Sequence, residues 1–423
     1  MGKDRLVIQP NCEDDYDTGS LTCEVALRRI LGAVRGVSDI ESVPLREALG
    51  RVVATPVVSP INVPSHTNSA MDGYAVRSQD VPESGSIQLK VIGTAFAGTP
   101  YQGLLGKNEA IRVMTGAVIP PEANIVIMQE QVEVDDDGSI RIDNRHRAGQ
   151  NVRAAGEDIG VGTQVLHRGH LITPADLGLV ASIGLAKIDI FRRIRVAFFS
   201  TGDELRGVGE TLEPGQIYDS NRYTLFGMLT RLGVEVIDMG VVKDNREAVR
   251  HKLIDAAKTA DLVISSGGVS VGEADYIKEV LREIGEVRFW KVAMKPGRPL
   301  AFGAINGSVF FGLPGNPVSV MVTFYQFVQP CILKIMGGQS RPETLLKAQT
   351  QNMLKKRPGR VEYQRGIVSR NDAGELVVHT RDDQGSGILS SMSTANCFVI
   401  LPMDSDQIER GSLVDIQPFF GIV

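Results

Sequence analysis

Between residues 195 and 336, uninterrupted apolar runs alternate with stretches of helical spacing, and no other feature of the chain narrows its fold as far. Arg195 to Ser200 (RVAFFS) and Leu262 to Ser266 (LVISS) are continuous rather than alternating, as strands covered on both faces require. Val234 to Asp238 reads as a further strand, and Asn221 to Leu232, Arg246 to Thr259 and Glu273 to Ile284 read as helices. Strands alternating with helices of about 10 to 15 residues predict βαβ crossovers and a mostly parallel sheet. VRFWKVA, PLAFGAI and GSVFFGL add three strands, and a long helix is expected from Pro317 with Asn316 as its N-cap.

The flanking sequence has a different texture. Residues 1–19 form a polar tail without periodicity. Thr22 N-caps an expected helix in TCEVALRRILGAV, and LREALGRV predicts a second short helix near Leu45, before the extended VVATPVVSPINVP. SIQLKVIG, AIRVMTG, NIVIMQE and SIRIDNR read as strands of a small β-rich domain, with Asp135-Asp136-Asp137-Gly138 as a hairpin tip. From residue 341, ELVVHT, CFVILP and SLVDIQPF predict a small C-terminal barrel or sandwich.

Composition excludes several classes of function. The 423 residues suggest about three domains. At 43% hydrophobic and 22% charged, the chain is not a disordered one. Its 45 basic and 50 acidic residues give a net charge of −5, so it is not a duplex-coating nucleic-acid binder, and an anionic ligand needs a local basic cluster. Cys12, Cys23, Cys331 and Cys397 are far apart with no C-x-x-C pair, which argues against a disulfide framework or a Cys-based zinc site and for a reducing compartment. Gly2 to Ser20 is polar and acid-rich rather than a signal peptide, and Val318 to Met336 is interrupted by Thr323, Gln326, Gln329 and Pro330. A soluble, cytoplasmic protein without membrane contact is expected.

In open parallel sheets ligands collect at the carboxyl ends of strands. Five loops should therefore share one edge: Thr201-Gly202-Asp203-Glu204, the segment ending in Asp244, Gly267 to Asp275, Met294 to Pro299, and Leu313 to Ser319. The loop SSGGVSVGEAD frees backbone N–H groups at a helix N-terminus to face an anion, although a plain tight turn uses the same residues. Lys295 and Arg298, framed by prolines, suit a phosphate or another tetrahedral oxyanion, and Lys291 is a third candidate cation; a solvated turn is the alternative. Asp203, Glu204, Asp219, Asp244 and Asp275 would repel that anion unless a hard cation such as Mg²⁺ intervenes, or else they cap helices. Ser69 to Ala75 and Arg112 to Ala117 read as turns with polar tips, and His167-x-x-His170 as surface histidines rather than a zinc site.

SAMDGYA, RVMTGA, GEDI at 156–159, FSTGDEL, SSGGVSVGEADY, MKPGRP and GLPGNPVS follow one another in order over residues 69–319, and GRVEYQR and GSGILSSMSTAN extend the series. Together they resemble the molybdopterin molybdenumtransferase family, the bacterial MoeA proteins and the gephyrin E domain. The resemblance implies a tail (1–19), an elongated split domain (20–61 with 147–192), a small β-rich domain (62–146), an α/β molybdopterin-binding domain (193–340) and a C-terminal β domain (341–423). It implies a homodimer that inserts molybdate into molybdopterin-adenylate with Mg²⁺-dependent release of AMP, in transient contact with an adenylyltransferase and with apo-molybdoenzymes. By the same resemblance Asp244, Asp275 and Glu204 would position Mg²⁺ and the phosphoanhydride, while Ser266, Gly267, Gly268, Ser270 and Gly272 hold the substrate phosphate. Lys291 and Lys295 would bind substrate and oxyanion. Arg298, Ser319, Arg360 and a serine near Ser386 to Ser390 match positions for molybdate, Pro299 joins the substrate-binding set, and Asp72, Thr115, Arg153 and Asp158 would face the cleft of a neighbouring subunit. Three departures bear on fine geometry: Ser65-His66-Thr67-Asn68 where the family shows Phe-Asp-Asn, Ala154 for an arginine, and Arg298 for a lysine. Two further readings are adenylyl transfer onto molybdopterin by the same α/β module and a partner-binding scaffold of the gephyrin E-domain type.

Overall fold

A computed structural model describes residues 19–268, 276–339, 344–381 and 383–419. The chain divides into two compact units. One comprises the segment up to Glu41, Gly50–Val52 and everything from Phe191 onward, and the other comprises Ser42–Leu49 and Val53–Ile190. The expected tail, except Gly19, and Cys12 lie outside the described residues.

The larger unit is built on a sheet of six strands among the described residues, in the order 235–242, 195–201, 262–266, 308–313, 299–305, 285–291. The first four run parallel, 299–305 runs against them, and 285–291, antiparallel to 299–305, runs with them again. Successive residues of each central strand serve opposite faces, and both faces are covered. Phe199 and Phe310 join Val249, Leu253, Ile277 and Leu281 of the helices Arg246–Thr259 and Tyr276–Ile284 on one side. Their neighbours Phe198 and Phe311 are equally buried on the other side. Full burial of each such ring is worth roughly 1.5–3 kcal/mol, so doubly covered strands must be apolar throughout.

Helix positions follow the caps. Thr22 Oγ1 accepts from Val25 N at 3.3 Å ahead of Cys23–Ala33, and Asp219 Oδ1 accepts from Arg222 N at 3.2 Å ahead of Ser220–Arg231. Asn316 stands at the N-cap of Pro317–Thr323 but makes no side-chain cap bond there, and its Nδ2 donates to Ser386 Oγ. From Pro317 the chain stays helical to Ile335 through a π-turn at Phe324–Val328. Pro330 has no N–H to return to the carbonyl of Gln326, and the helix widens by one residue to absorb the loss. This run alone among the described residues is long and apolar enough to cross a membrane, yet 67% of its most apolar window is buried inside the protein.

The strand expected at Val234 to Asp238 runs on to Val242, so Asp244 follows it by two residues. Gly240, at φ +78°, accommodates a bulge opposite Phe198 and Ser200 rather than ending the strand. A buffer between sheet and surface is the Arg192–Asp261 pair. Both carboxylate oxygens of Asp261 accept from the guanidinium, at 2.7 and 2.8 Å, and Oδ2 also accepts from Arg195 N at 2.7 Å. Burial pushes this carboxyl up, but the Arg192 hydrogen bonds outweigh it and hold it below the usual carboxylate range. Its stabilisation is therefore present above the unfolded value near ~3.9 and is lost as pH falls through the lower folded value. Asp261→Asn is expected to cost about 2 kcal/mol at pH 7, with the gap to wild type closing in acid, as followed by urea unfolding across pH.

The C-terminal part of this unit is a closed barrel. Val361–Arg370 pairs with Leu376–Thr380 on one side and Cys397–Leu401 on the other, and Leu346–Thr350 and Leu413–Pro418 complete the ring. Val378, Val399, Leu401 and Ile416 fill it. Met294–Lys295 pairs with Val361–Glu362, fastening the α/β sheet's outer loop to the barrel. Burial pushes the thiols of Cys331 and Cys397 up to about 12, and both are free.

The second unit carries a mixed sheet in the order 125–128, 73–76, 109–113, 86–95, 140–143, 133–134. Asp135 and Gly138 form the tip of its last hairpin, with Asp135 N donating to Ser139 O at 2.9 Å. The helix expected in LREALGRV is only a single 3₁₀ turn, Leu45–Glu47. Gly50 at φ +70° stops propagation before a second turn forms, and so short a helix does not repay its nucleation. His170 Nε2 lies 2.8 Å from Asp176 Oδ2, which also caps Pro174–Ser182 through Thr173. Among the described residues no group of His, Cys, Asp or Glu forms a metal cluster.

Candidate active site

The loops leaving the four parallel strands enclose a cavity of ≈ 560 Å³ in the larger unit. Thr201, Gly202 and Glu204 come from the first loop, Asp244 from the second, Ser266, Gly267 and Gly268 from the third, and Pro314, Gly315 and Asn316 from the fourth. Gly267 and Gly268 have φ of +91° and +68°, and a Cβ on Gly267 would stand 2.7 Å from the Thr201 carbonyl oxygen. Only glycine permits that turn, which sets the loop backbone against the cavity. Asn221, at the start of helix Ser220–Arg231, donates through Nδ2 to Ser266 Oγ at 3.0 Å and to Gly315 O at 2.7 Å, tying the third loop to the fourth.

Carboxylates crowd one end of this cavity. Asp244 N donates to Asp203 Oδ1 at 3.2 Å. Burial, and then the charges of Asp203 and Glu204, raise the Asp244 carboxyl above its ordinary value. Repulsion of this kind is what a hard cation relieves. Ser270, Gly272 and Asp275 lie outside the described residues.

A second cavity, of ≈ 820 Å³, lies between the 294–299 loop and the barrel, and Pro299 and Ser319 line both. Lys295, Arg298, Lys355, Arg360 and Arg381 line it together with one carboxylate, Glu362. Arg298 is nine-tenths buried, whereas the Lys295 side chain is half exposed and reaches Glu362 Oε1 at 3.2 Å. The barrel side is held by Arg365, which donates to Ser391 Oγ and Gly385 O at 3.0 Å each. That loop presents Ser386, whose Oγ accepts from Asn316 Nδ2 at 3.0 Å and whose carbonyl accepts from Val318 N at 3.1 Å. The walls of the two cavities are thus joined by direct hydrogen bonds.

In the other unit two of the sequence motifs meet directly. Asp72 Oδ1 accepts from Thr115 N and Oγ1 at 2.7 and 2.8 Å, and these bonds, backbone first, hold its carboxyl below the ordinary value. Arg153 pairs with Asn68 across a short antiparallel ladder, and Asp158 N donates to Val63 O at 3.1 Å. In the divergent Ser65-to-Asn68 segment, Thr67 Oγ1 accepts from Ala155 N at 3.3 Å, one residue after Ala154, the position of the missing arginine.

Of the residues singled out from sequence, Glu204, Asp244, Ser266, Gly267 and Gly268 share the first cavity. Lys295, Arg298, Arg360 and Ser386 share the second, and Pro299 and Ser319 line both. Lys291 ends the outermost strand and lines neither, and Ser390 is exposed on the helix Leu389–Thr394. Sequence reasoning missed Asn352, Lys355, Thr380, Arg381 and Gln384 of the second cavity, along with Glu362 and Gln364. The last two were signalled: in GRVEYQR, positions 360, 362 and 364 alternate onto the face that carries Arg360.

Comparisons agree with this geometry. Residues 21–184 match the MoeA N-terminal region (domains I and II), residues 197–334 a probable molybdopterin binding domain, and residues 347–419 the MoeA C-terminal region (domain IV). The chain is 45% identical over 401 residues to a molybdopterin molybdenumtransferase of Haemophilus influenzae, covering 94% of this chain and 98% of that one. It is 36% identical to one from a Nostoc species, covering 88% and 87%. A crystal structure of a molybdopterin biosynthesis moeA protein from Pyrococcus horikoshii OT3 superposes with a TM-score of 0.82 at 31% identity, covering 95% of this chain and all of that one. A sequence match of this extent, carried through all three regions and repeated in the fold, means that the chain belongs to the molybdopterin molybdenumtransferase family.

Proposed function

We propose that this protein inserts molybdate into molybdopterin-adenylate and releases AMP, a step of molybdenum cofactor biosynthesis. The observation that carries the reading is the pair of cavities meeting at Pro299 and Ser319. One ends on strand-end carboxylates and glycine backbone, and the other is lined by five cationic side chains. An adenylate and a tetrahedral oxyanion call for these two chemistries side by side. An adenylyl transfer would need only the first, so the second favours insertion.

In this reading the backbone of Gly267 and Gly268 faces the substrate phosphate and the cationic wall gathers molybdate, with positioning and charge neutralisation supplying most of the acceleration. Asp244 and Glu204 would hold Mg²⁺ together with Asp275, which lies outside the described residues, and when bound the ion would neutralise charge on the phosphoanhydride. The chain's own part is to orient the phosphate and hold the oxyanion; no side chain is assigned as a nucleophile. Lys291 belongs to the substrate-binding set, and Asp72, Thr115, Arg153 and Asp158 serve the cleft of a second copy in a homodimer. Contacts with an adenylyltransferase and with apo-molybdoenzymes, in the cytoplasm, follow from the same reading.

The test is AMP release from molybdopterin-adenylate with and without molybdate and Mg²⁺. Release that depends on both supports insertion. Tight binding without release in any combination would overturn it in favour of a carrier or scaffold.

A further inference from the structure

Glu362 has the wrong charge for its surroundings. Every other ionisable side chain lining the ≈ 820 Å³ cavity among the described residues is cationic, and Glu362 also lines a neighbouring cavity of ≈ 470 Å³ walled by lysines and arginines. Only 6% of its side chain is exposed. Oε1 accepts from Lys295 Nζ at 3.2 Å and from Gln364 Nε2 at 3.1 Å, and Lys295 and Glu362 stand opposite one another in a parallel backbone pairing. The strand register, rather than chance side-chain placement, brings the two charges together.

Fold stability is only part of the account: Glu362 offsets the charges of Lys356 and Arg365, but this does not require its bond to Lys295. A buried carboxylate is costly, and its partner here is a half-exposed lysine that water would solvate well. Two consequences follow for an oxyanion entering the cavity. The long Lys295 side chain is already aimed, so less rotamer freedom is lost when it binds. The carboxylate also competes for the same ammonium and repels the anion through a medium less screening than water.

We propose that Glu362 is a positioning residue that aims Lys295 and, by its own charge, limits how tightly the cavity holds an oxyanion, so that the anion is delivered rather than retained. This rests on reading the cavity as the oxyanion site. A residue that served only to support the wall would weaken binding when replaced. Glu362, on this account, strengthens it when neutralised to glutamine, whose carbonyl oxygen still accepts from Lys295 and keeps it aimed while the repulsion is gone.

Equilibrium dialysis of molybdate against the full chain tests the sign. Glu362→Gln is expected to bind molybdate about tenfold more tightly than wild type, with KM for molybdate and kcat for AMP release both lowered. Glu362→Asp keeps the charge and is expected to bind as wild type does. Unchanged or weaker binding by Glu362→Gln overturns the proposal. If wild type takes up no molybdate and Arg360→Ala changes nothing, the oxyanion reading itself fails. Should Glu362→Gln not fold, Lys295→Met and Lys355→Met carry the test. Each removes one cation from the wall, but only the first uncovers the buried carboxylate, so it should weaken binding several-fold more, and equal losses overturn the proposal.

Discussion

Asp244→Asn is expected to reduce the proposed Mg²⁺-dependent AMP release by on the order of a hundredfold or more while leaving the unfolding midpoint unchanged or slightly raised. The two effects have one cause. Asp244 sits on the edge of the sheet with Asp203 and Glu204 close enough to raise its carboxyl, and burial adds to that. Removing its charge takes away the carboxylate that a cation would need, and it also relieves a repulsion that the folded chain carries by itself. The substitution is nearly isosteric, and Asp244 N keeps its bond to Asp203 Oδ1. AMP release at saturating Mg²⁺, set beside a urea transition, checks both halves. Near-normal turnover would remove Asp244 from the site, and a large fall in stability would make its role structural.

The second large effect is on folding. Gly303 lies in the strand Pro299–Ile305 between Val287 and Phe310, and a Cβ there would stand 2.1 Å from Glu286 O and 2.5 Å from Val287 Cα. Both obstacles are backbone, so no rotamer change relieves them, and the two antiparallel strands must part. Gly303→Val should therefore cost about 3–5 kcal/mol, through overpacking together with lost ladder hydrogen bonds. The single tryptophan of the chain reports on this place. Trp290 is in the adjacent strand, opposite Leu300, with its ring 5.4 Å from that of Phe302. Its emission should shift at lower guanidinium in the variant, and an unshifted transition would show that the strands have room to spare.

The α/β core was legible because its signals are local. Arg246–Thr259, Leu262–Ser266 and Pro299–Ile305 follow the limits given by their apolar patterns. Where the reading failed, one residue carried a meaning that local pattern does not disclose. Gly240 looks like a strand end and is a bulge, and Gly50 cuts an amphipathic pattern to one turn. The site divides in the same way. Carboxyl ends of parallel strands gather ligands by rule, so the loops around Gly267 and Asp244 could be placed together from sequence. No such rule reaches the barrel. Arg360 entered only through resemblance, and the Asn316–Ser386 bond joins residues 70 apart that neither periodicity nor turn chemistry connects.

The two cavities draw on different lengths of chain. Every residue lining the first falls between Thr201 and Ser319, whereas the second needs residues from Met294 to Ser386. Among the described residues the α/β portion alone therefore lines the first pocket, whereas the second needs the barrel as well. The two pockets can thus be altered independently except at Pro299 and Ser319, where a single substitution reshapes both.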